Sequence, residues 1–202
     1  MNLKPYLLTS IVESKRQDHI NVINDRKCNI DMRNLLNYLL IDKVNNSTEL
    51  YEVLAHKFVS LLRANVKLLI LDSIASIYRF SSKEERSPDD KPMIDVISIL
   101  KRVAHEHNLA VLVINQATTA LNTYSAPFLN PRSRVRPALG DLWTKCINSR
   151  ILLWIDRREG WRDKSRHFQI IFGSNAPTSS PIPFIITKRG IEVRDIITMF
   201  RD

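Results

Sequence analysis

The chain has 202 residues, of which 44 % are hydrophobic and 25 % are charged. This length and balance predict a single globular domain with a sizeable core, and they argue against a chain that is disordered throughout. Lys and Arg number 30 against 21 Asp and Glu, and the formal charge of +9 favours an anionic partner such as nucleic acid, with an unengaged basic surface as the alternative. No apolar run reaches about 18 residues and no signal peptide is recognisable, so a membrane-spanning or secreted protein is not expected.

Apolar runs alternate with helical patterns along the chain, which predicts an α/β fold with a mostly parallel sheet flanked by helices. Residues 20–23 suit a short strand, and Asp31 can cap the helix after it. Ser47 and Thr48 can begin a second helix, because apolar residues recur after them at helical spacing: Leu50, Val53, Leu54, Phe58, Leu61 and Leu62.

Two uninterrupted apolar runs, residues 66–72 and 109–116, predict strands that are covered on both faces. A charged loop over residues 81–92 follows the first run. The helix expected between the loop and the second run presents one apolar face: Met93, Ile97, Leu100 and Ala104.

Residues 117–136 are polar and interrupted by prolines. A loop of this length without structure of its own is usually functional or disordered. A helix is expected after Pro137. The later apolar segments are expected to pair as antiparallel strands on the otherwise parallel sheet: residues 150–156, 168–172 and 183–187.

The first strand carries a candidate nucleotide-site acid at its end. Leu68 to Leu71 are aliphatic and Asp72-Ser73 follows them, which is the Walker B pattern. In P-loop enzymes such an acid holds the magnesium ion of the nucleotide, and it lies at the carboxyl edge of the sheet where ligands bind. Many buried strands end in an aspartate without this role, so a purely structural Asp72 is the alternative.

Asn115-Gln116 ends the next predicted strand, so its amide side chains are expected beside Asp72 at the same edge. Gln116 suits the sensing of a γ-phosphate or the orientation of a water molecule. The alternative is a polar residue that only ends the strand.

A Walker A loop, G-x-x-x-x-G-K-[ST], is absent from the 202 residues. Its glycine amides surround the phosphates and its lysine neutralises them, and nothing else in the sequence replaces that cradle. The four glycines are Gly140, Gly160, Gly173 and Gly190, and all of them follow Asp72.

The stretch from Pro131 to Arg166 concentrates positive charge. It contains ten Lys or Arg against four Asp or Glu, a local net of +6 out of +9. With Tyr124 and Phe128 nearby, such a stretch suits contacts with a phosphodiester backbone and stacking on bases. A solvated basic face, or one that meets an acidic protein, is the alternative.

Two cysteines, Cys28 and Cys146, lie far apart without a C-x-x-C pair. A zinc site and a disulfide framework are therefore not expected, and reduced thiols indicate the cytosol or nucleus.

The order of these motifs resembles the RecA-type core of the eukaryotic recombinase and its paralogs, in particular the X-ray repair cross-complementing group three type of DNA repair paralog. The resemblance runs from residue 17 to residue 194. It rests on four segments in order: Asp72-Ser73 after its strand, Ile114-Asn115-Gln116, Arg136 to Trp143, and Ser174 to Ser180.

The resemblance implies a RecA-like P-loop NTPase core over residues 1–202, with ATP and Mg²⁺ as cofactors. It assigns the nucleotide side to Asp72, Ser73 and Gln116, with Asp72 as the metal ligand, and it assigns no catalytic residue. DNA binding is assigned to the loop after Gln116 and to the helix beyond it: Tyr124, Arg132, Arg134, Arg136 and Lys145. A cap over the nucleotide of a neighbouring subunit is assigned to Ser174, Asn175 and Pro177.

In the family, the P-loop and the strand with the water-activating carboxylate precede the matched region. ATP and Mg²⁺ binding is thus expected of this chain only with a P-loop that a partner or a missing amino-terminal sequence supplies. Two explanations stand open: a paralog that lacks the P-loop unit, and an incomplete gene model.

Three functions are hypotheses at this point. The first is a nuclear homologous-recombination repair factor that binds single-stranded or branched DNA and another paralog or the recombinase itself. The second is a truncated form of an ATP-binding, DNA-dependent ATPase. The third is an α/β protein-interaction domain with no DNA role.

Overall fold

The computed structural model describes residues 38–61, 66–78, 91–119, 135–156, 165–174 and 176–193. The chain divides into two compact units, one comprising Asp42–Ile147 and the other containing the strands from Asn148 onward. The strand expected at residues 20–23 and the helix capped by Asp31 lie outside the described residues. The assignment of residues 1–202 to a single domain stays a prediction.

A helical segment begins the first unit. α1 (Ser47–Glu52) continues through a π-helical stretch (Val53–Lys57) into α2 (Phe58–Leu61). The Asn46 side chain accepts a hydrogen bond of 2.8 Å from the Glu49 backbone N–H and caps the first turn, so the predicted helix start is confirmed. The buried apolar residues belong to the set that the helical spacing selects: Leu50, Leu54 and Phe58.

A parallel pair of strands forms the centre of the first unit. β1 (Leu68–Asp72) and β2 (Ala110–Ile114) run in register from Leu68↔Ala110 to Asp72↔Ile114. The chain between them contains α3 (Ile74–Tyr78) and α4 (Met93–Glu106). The buried face of α4 is apolar throughout: Val96, Ile97, Ile99, Leu100 and Val103. The predicted order of strand, helix and strand is therefore confirmed.

In the part of the chain that the structure describes, helices cover one face of β1 and β2. Leu69, Leu71, Val111 and Val113 pack against the core cluster that α1, α2 and α4 form. The alternate residues Leu68, Ile70, Leu112 and Ile114 are 41 to 51 % exposed. The expectation that both faces are covered is wrong for this chain, because side chains alternate along a strand and the packed cluster meets one set of them.

A short antiparallel pair follows β2. β3 (Ala117–Thr119) pairs with β4 (Val135–Pro137), with Thr118 opposite Arg136, and α5 (Gly140–Cys146) comes next. The two ends of the segment 117–136 are thus strands, where a loop was expected. β3 and β4 are separated by residues 120–134 in the sequence. Local sequence patterns do not predict pairing between strands that are this far apart.

The second unit is a four-stranded antiparallel sheet in the order β5-β6-β7-β8. Its strands are β5 (Ser149–Asp156), β6 (Ser165–Gly173), β7 (Ile182–Thr187) and β8 (Gly190–Val193). Trp154 stacks on His167 across β5 and β6, with ring centroids 5.3 Å apart. The predicted antiparallel pairing is confirmed, but the four strands form a sheet of their own and do not extend the parallel pair as was expected. In the parts of the chain that the structure describes, every helix is too short or too polar to cross a bilayer.

Two isoleucines of α4 provide a matched test of this core. Ile99 is 5 % exposed and Ile94 is 43 % exposed. We expect Ile99→Ala to lower the free energy of unfolding by about 2–5 kcal/mol, and Ile94→Ala by less than half as much. Urea unfolding followed by circular dichroism measures both. Equal losses would contradict the placement of α4.

Candidate nucleotide and DNA interface

Asp72 is the last residue of β1 and its side chain is exposed. The peptide bond to Ser73 is cis, and the Ser73 carbonyl oxygen accepts hydrogen bonds from the Ser76 amide at 3.2 Å and the Ser76 hydroxyl at 2.6 Å. Ile74, the first residue of α3, is fully buried. The carboxylate of Asp72 therefore stands free of the core at a strand end that buried neighbours hold in place.

Gln116 lies at the same edge. Ile114 is the register partner of Asp72, and Asn115 and Gln116 are the next two residues of the chain. The exposed Gln116 side chain and the exposed Asp72 carboxylate thus follow two adjacent parallel strands at their carboxyl ends. This is the edge at which ligands bind in open α/β sheets.

Asn115 connects this edge to the turn after β4. Its carboxamide N–H donates to the Ala138 carbonyl oxygen at 2.9 Å, and its carboxamide oxygen accepts from the Gln116 backbone N–H at 2.8 Å. The Ala138 backbone N–H donates in turn to the Gln116 carbonyl oxygen at 2.8 Å. The base of the β3–β4 pair is thereby attached to the end of β2.

The β3–β4 pair is the stem of the proposed DNA loop. The exposed Arg136 lies in β4. Tyr124, Arg132 and Arg134 lie in residues 120–134, outside the described residues. The stem starts at the edge that carries Asp72 and Gln116, and its last pair, Thr119 and Val135, flanks that segment.

α5 carries the exposed Lys145 in its last turn and the buried Trp143 on its other side. Trp143 packs in a cluster with Ile74 and Ile97. Leu139, just before α5, has a left-handed backbone with φ of 75° and packs against the same cluster. Arg136 and Lys145 therefore lie on elements that the core holds in position.

Of the ten basic residues between Pro131 and Arg166, four lie in the described part of the chain. Arg136 and Lys145 are exposed in the first unit, and Arg150 and Arg166 are half-buried in the second unit. Burial lowers the pKa of the Arg150 guanidinium, which stays charged near neutral pH because the ordinary pKa of arginine is so high.

The proposed nucleotide cap follows β6 in the second unit. Ser174 and Pro177 are exposed, and Asn175 lies outside the described residues. The Ser174 backbone N–H donates to the Asn148 carbonyl oxygen at 2.9 Å. At Gly173, a Cβ atom would come within 2.8 Å of the Ala176 carbonyl oxygen, so only glycine permits this close approach.

Ser179 anchors the other end of the cap segment to β6. Its hydroxyl oxygen accepts from the Ile170 backbone N–H at 3.0 Å, and its backbone N–H donates to the Ile170 carbonyl oxygen at 3.0 Å. Its own carbonyl oxygen accepts from the Gln169 carboxamide at 2.8 Å. The segment between Ser174 and Ser179 is therefore held at both ends, while Ala176, Pro177 and Thr178 face solvent.

Asp72 and Gln116 fit the magnesium side of a nucleotide site only in part. They offer one carboxylate and one amide oxygen, and magnesium sites commonly combine one or two carboxylates with substrate phosphates and water. Within the described ranges, no group of three or more His, Cys, Asp or Glu is arranged to hold a metal ion by itself. These residues therefore suit an ion that arrives with phosphates held by another segment.

Comparison with known proteins identifies the family. A sequence model of the Rad51 family matches residues 11–194. This chain belongs to the Rad51 family. The resemblance to the recombinase and its paralogs that the motifs indicate is confirmed by this match.

Two curated relatives place the chain within the Rad51 family. It is 26 % identical over 204 residues to the DNA repair protein XRCC3 homolog of Arabidopsis thaliana, covering 83 % of this chain and 63 % of that protein. It is 30 % identical over 166 residues to the DNA repair protein RAD51 homolog 3 of Dictyostelium discoideum, covering 77 % of this chain and 40 % of that protein. The chain thus spans less than two thirds of the length of either relative.

The fold of this Rad51-family chain matches a solved structure. The crystal structure of the RadB recombinase aligns with 94 % of this chain and 73 % of that chain, with a TM-score of 0.60 at 20 % identity. The RecA-like α/β core that the sequence predicts is therefore confirmed. The roles of the individual site residues stay predictions.

Three residues that position the site are not evident from the sequence patterns. Asn115 was expected at the edge only as a neighbour of Gln116, yet its carboxamide makes the connection to Ala138. Gly173 and Ser179 hold the two ends of the cap segment. The sequence signal that could have indicated one of these positioning residues is the glycine directly before Ser174.

Ser179 offers a test of the cap anchor. We expect Ser179→Ala to remove the hydroxyl acceptor of the Ile170 amide, to speed hydrogen exchange at that amide about tenfold, and to cost about 1 kcal/mol of stability. The control is Ser180→Ala, at an exposed neighbour. Equal effects of the two substitutions on exchange at Ile170 would contradict the anchoring role.

Proposed function

We propose that the chain is the DNA-binding and partner-binding part of a nuclear protein of homologous-recombination repair. Its Rad51-family membership and the names of its relatives support this role: XRCC3 homolog, RAD51 homolog 3 and the recombination protein RadB. The proposed partners are single-stranded or branched DNA and another recombinase paralog or the recombinase itself.

The observation that carries the proposal is the β3–β4 stem at the carboxyl edge of the parallel strands. The stem is attached to the end of β2 through Asn115 and carries Arg136 on its exposed side. The loop that it frames contains two more arginines and a tyrosine: Arg132, Arg134 and Tyr124. Guanidinium groups bind phosphates and release counterions, and an aromatic ring can stack on an unpaired base.

Salt-dependent DNA binding tests this proposal. We expect Arg136→Ala to weaken binding of a labelled single-stranded oligonucleotide about threefold to tenfold at low salt and to reduce the slope of log affinity against log salt by about 0.7. Substituting Arg132, Arg134 and Arg136 together is expected to reduce that slope by about 2. Fluorescence anisotropy over a salt series measures both quantities.

The matched control is Arg102→Ala, which removes an exposed arginine from α4 and leaves the stem intact. An equal loss of affinity with this control would show that binding follows total charge. If the unsubstituted chain binds no DNA at low salt, alone or with a paralog partner, the α/β interaction domain without a DNA role becomes the better interpretation.

A second candidate function concerns the nucleotide of a neighbouring subunit. The cap segment is fixed at Gly173 and Ser179 and presents Ser174 and Pro177 to solvent. Such a rigid segment suits contact with ATP and Mg²⁺ that are bound mainly by the P-loop of a Rad51-family partner. Asp72 and Gln116 would serve the nucleotide only if a P-loop is supplied to this chain.

Nucleotide affinity of the mixed complex tests the cap. We expect Pro177→Ala to raise the Kd of the partner for a fluorescent ATP analogue about threefold to tenfold, and Pro181→Ala, outside the anchored segment, to leave it unchanged. An unchanged Kd with both variants would contradict the cap. Sequencing the 5′ end of the transcript decides a separate point, because an upstream in-frame G-x-x-x-x-G-K-[ST] would make ATP binding a property of the whole protein.

A further inference from the structure

We propose that Asn115 is a positioning residue whose carboxamide holds the β3–β4 stem, and with it Arg136, against the end of β2. The attachment itself follows from the described contacts. The effect on DNA rests on the proposed function.

Both polar atoms of the planar Asn115 carboxamide make hydrogen bonds. Its N–H group donates to the carbonyl oxygen of the buried Ala138, while its oxygen accepts from the Gln116 amide. A buried carbonyl that loses its donor is unfavourable, because water replaces the lost bond only with difficulty. An aspartate has the same shape but lacks the donor, so the chemistry of the amide is required at this position.

The turn after β4 has a conformation that its neighbours must maintain. Leu139 is a non-glycine residue in the left-handed region, with φ of 75°, and Gly140 follows with φ of 72°. Such a backbone is unfavourable for leucine and persists where surrounding contacts determine it. The contacts here are the Ala138–Asn115 hydrogen bond on one side and the packing of Leu139 on the cluster of Trp143 and Ile74 on the other.

The same contacts connect the stem to the carboxylate edge. α5 begins directly after Leu139, and its Trp143 packs in one cluster with Ile74, which lies two residues after Asp72. Asn115 therefore lies where β2, the turn and the stem meet. Without its hydrogen bond to Ala138, the stem would keep its backbone bond to Gln116 but lose the side-chain attachment that fixes its angle.

Hydrogen exchange followed by mass spectrometry tests the attachment in the full chain. We expect Asn115→Ala and Asn115→Asp each to speed exchange about tenfold or more in residues 117–119 and 135–138, with α4 and β1 unchanged. Asn45→Asp is the matched control, since it removes an exposed asparagine whose amide bonds to Glu49. A uniform increase over the whole first unit, or no increase in the stem, would overturn the inference.

DNA binding tests the functional half. We expect both Asn115 variants to raise the Kd for a single-stranded oligonucleotide about fivefold, with an unchanged salt slope because no phosphate-binding arginine is lost. If the role of Asn115 were only structural, its substitution would lower the folded fraction. Protein that circular dichroism shows to be folded would then bind DNA with an unchanged Kd.

Three outcomes separate the possible failures. Weaker binding by Asn115→Asp alone would show charge repulsion and overturn the positioning role. Faster exchange in the stem with an unchanged Kd for DNA would overturn the proposed effect of Asn115 on DNA binding. If the unsubstituted chain binds no DNA, the proposed function and the DNA half of the inference are both overturned, while the exchange measurement alone decides the attachment.

Discussion

The parallel register of β1 and β2 is the constraint on which the first unit depends. Asp72 pairs with Ile114, so both strands end at the same edge and the polar residues that follow them come together. α3 begins two residues after Asp72, and the β3–β4 stem begins directly after Gln116. The segment proposed for the nucleotide and the segment proposed for DNA therefore start from one edge.

Packing on one face of these strands makes the edge rigid. The fully buried Ile74 and the buried Trp143 join α3 and α5 in one cluster, and α4 contributes Ile97. The exposed side chains proposed for function, Asp72 and Lys145, lie close in sequence to these buried anchors. Function on exposed segments that a rigid scaffold positions is the usual arrangement in α/β proteins.

In the second unit, hydrogen bonds hold the segment proposed for function, whereas packing of helices holds it in the first unit. The cap segment has no regular structure, yet Gly173 permits a close backbone approach and Ser179 bonds to Ile170 and Gln169. Its exposed serine and proline are thus held without being buried. In both units, backbone groups and side chains that make no proposed ligand contact, such as those of Asn115 and Ser179, help to hold a functional segment.

The sequence by itself determined the order of strands and helices, two of the buried residues of α4 (Ile97 and Leu100), the position of Asp72 and membership of the Rad51 family, because apolar periodicity and ordered motifs are local properties. Only the tertiary structure decided the β3–β4 pairing, the exposure of one face of β1 and β2, and the roles of Asn115, Gly173 and Ser179. Each of these depends on which groups meet across residues distant in sequence, or on the sign of a backbone angle such as that of Leu139. Composition and spacing contain neither kind of information.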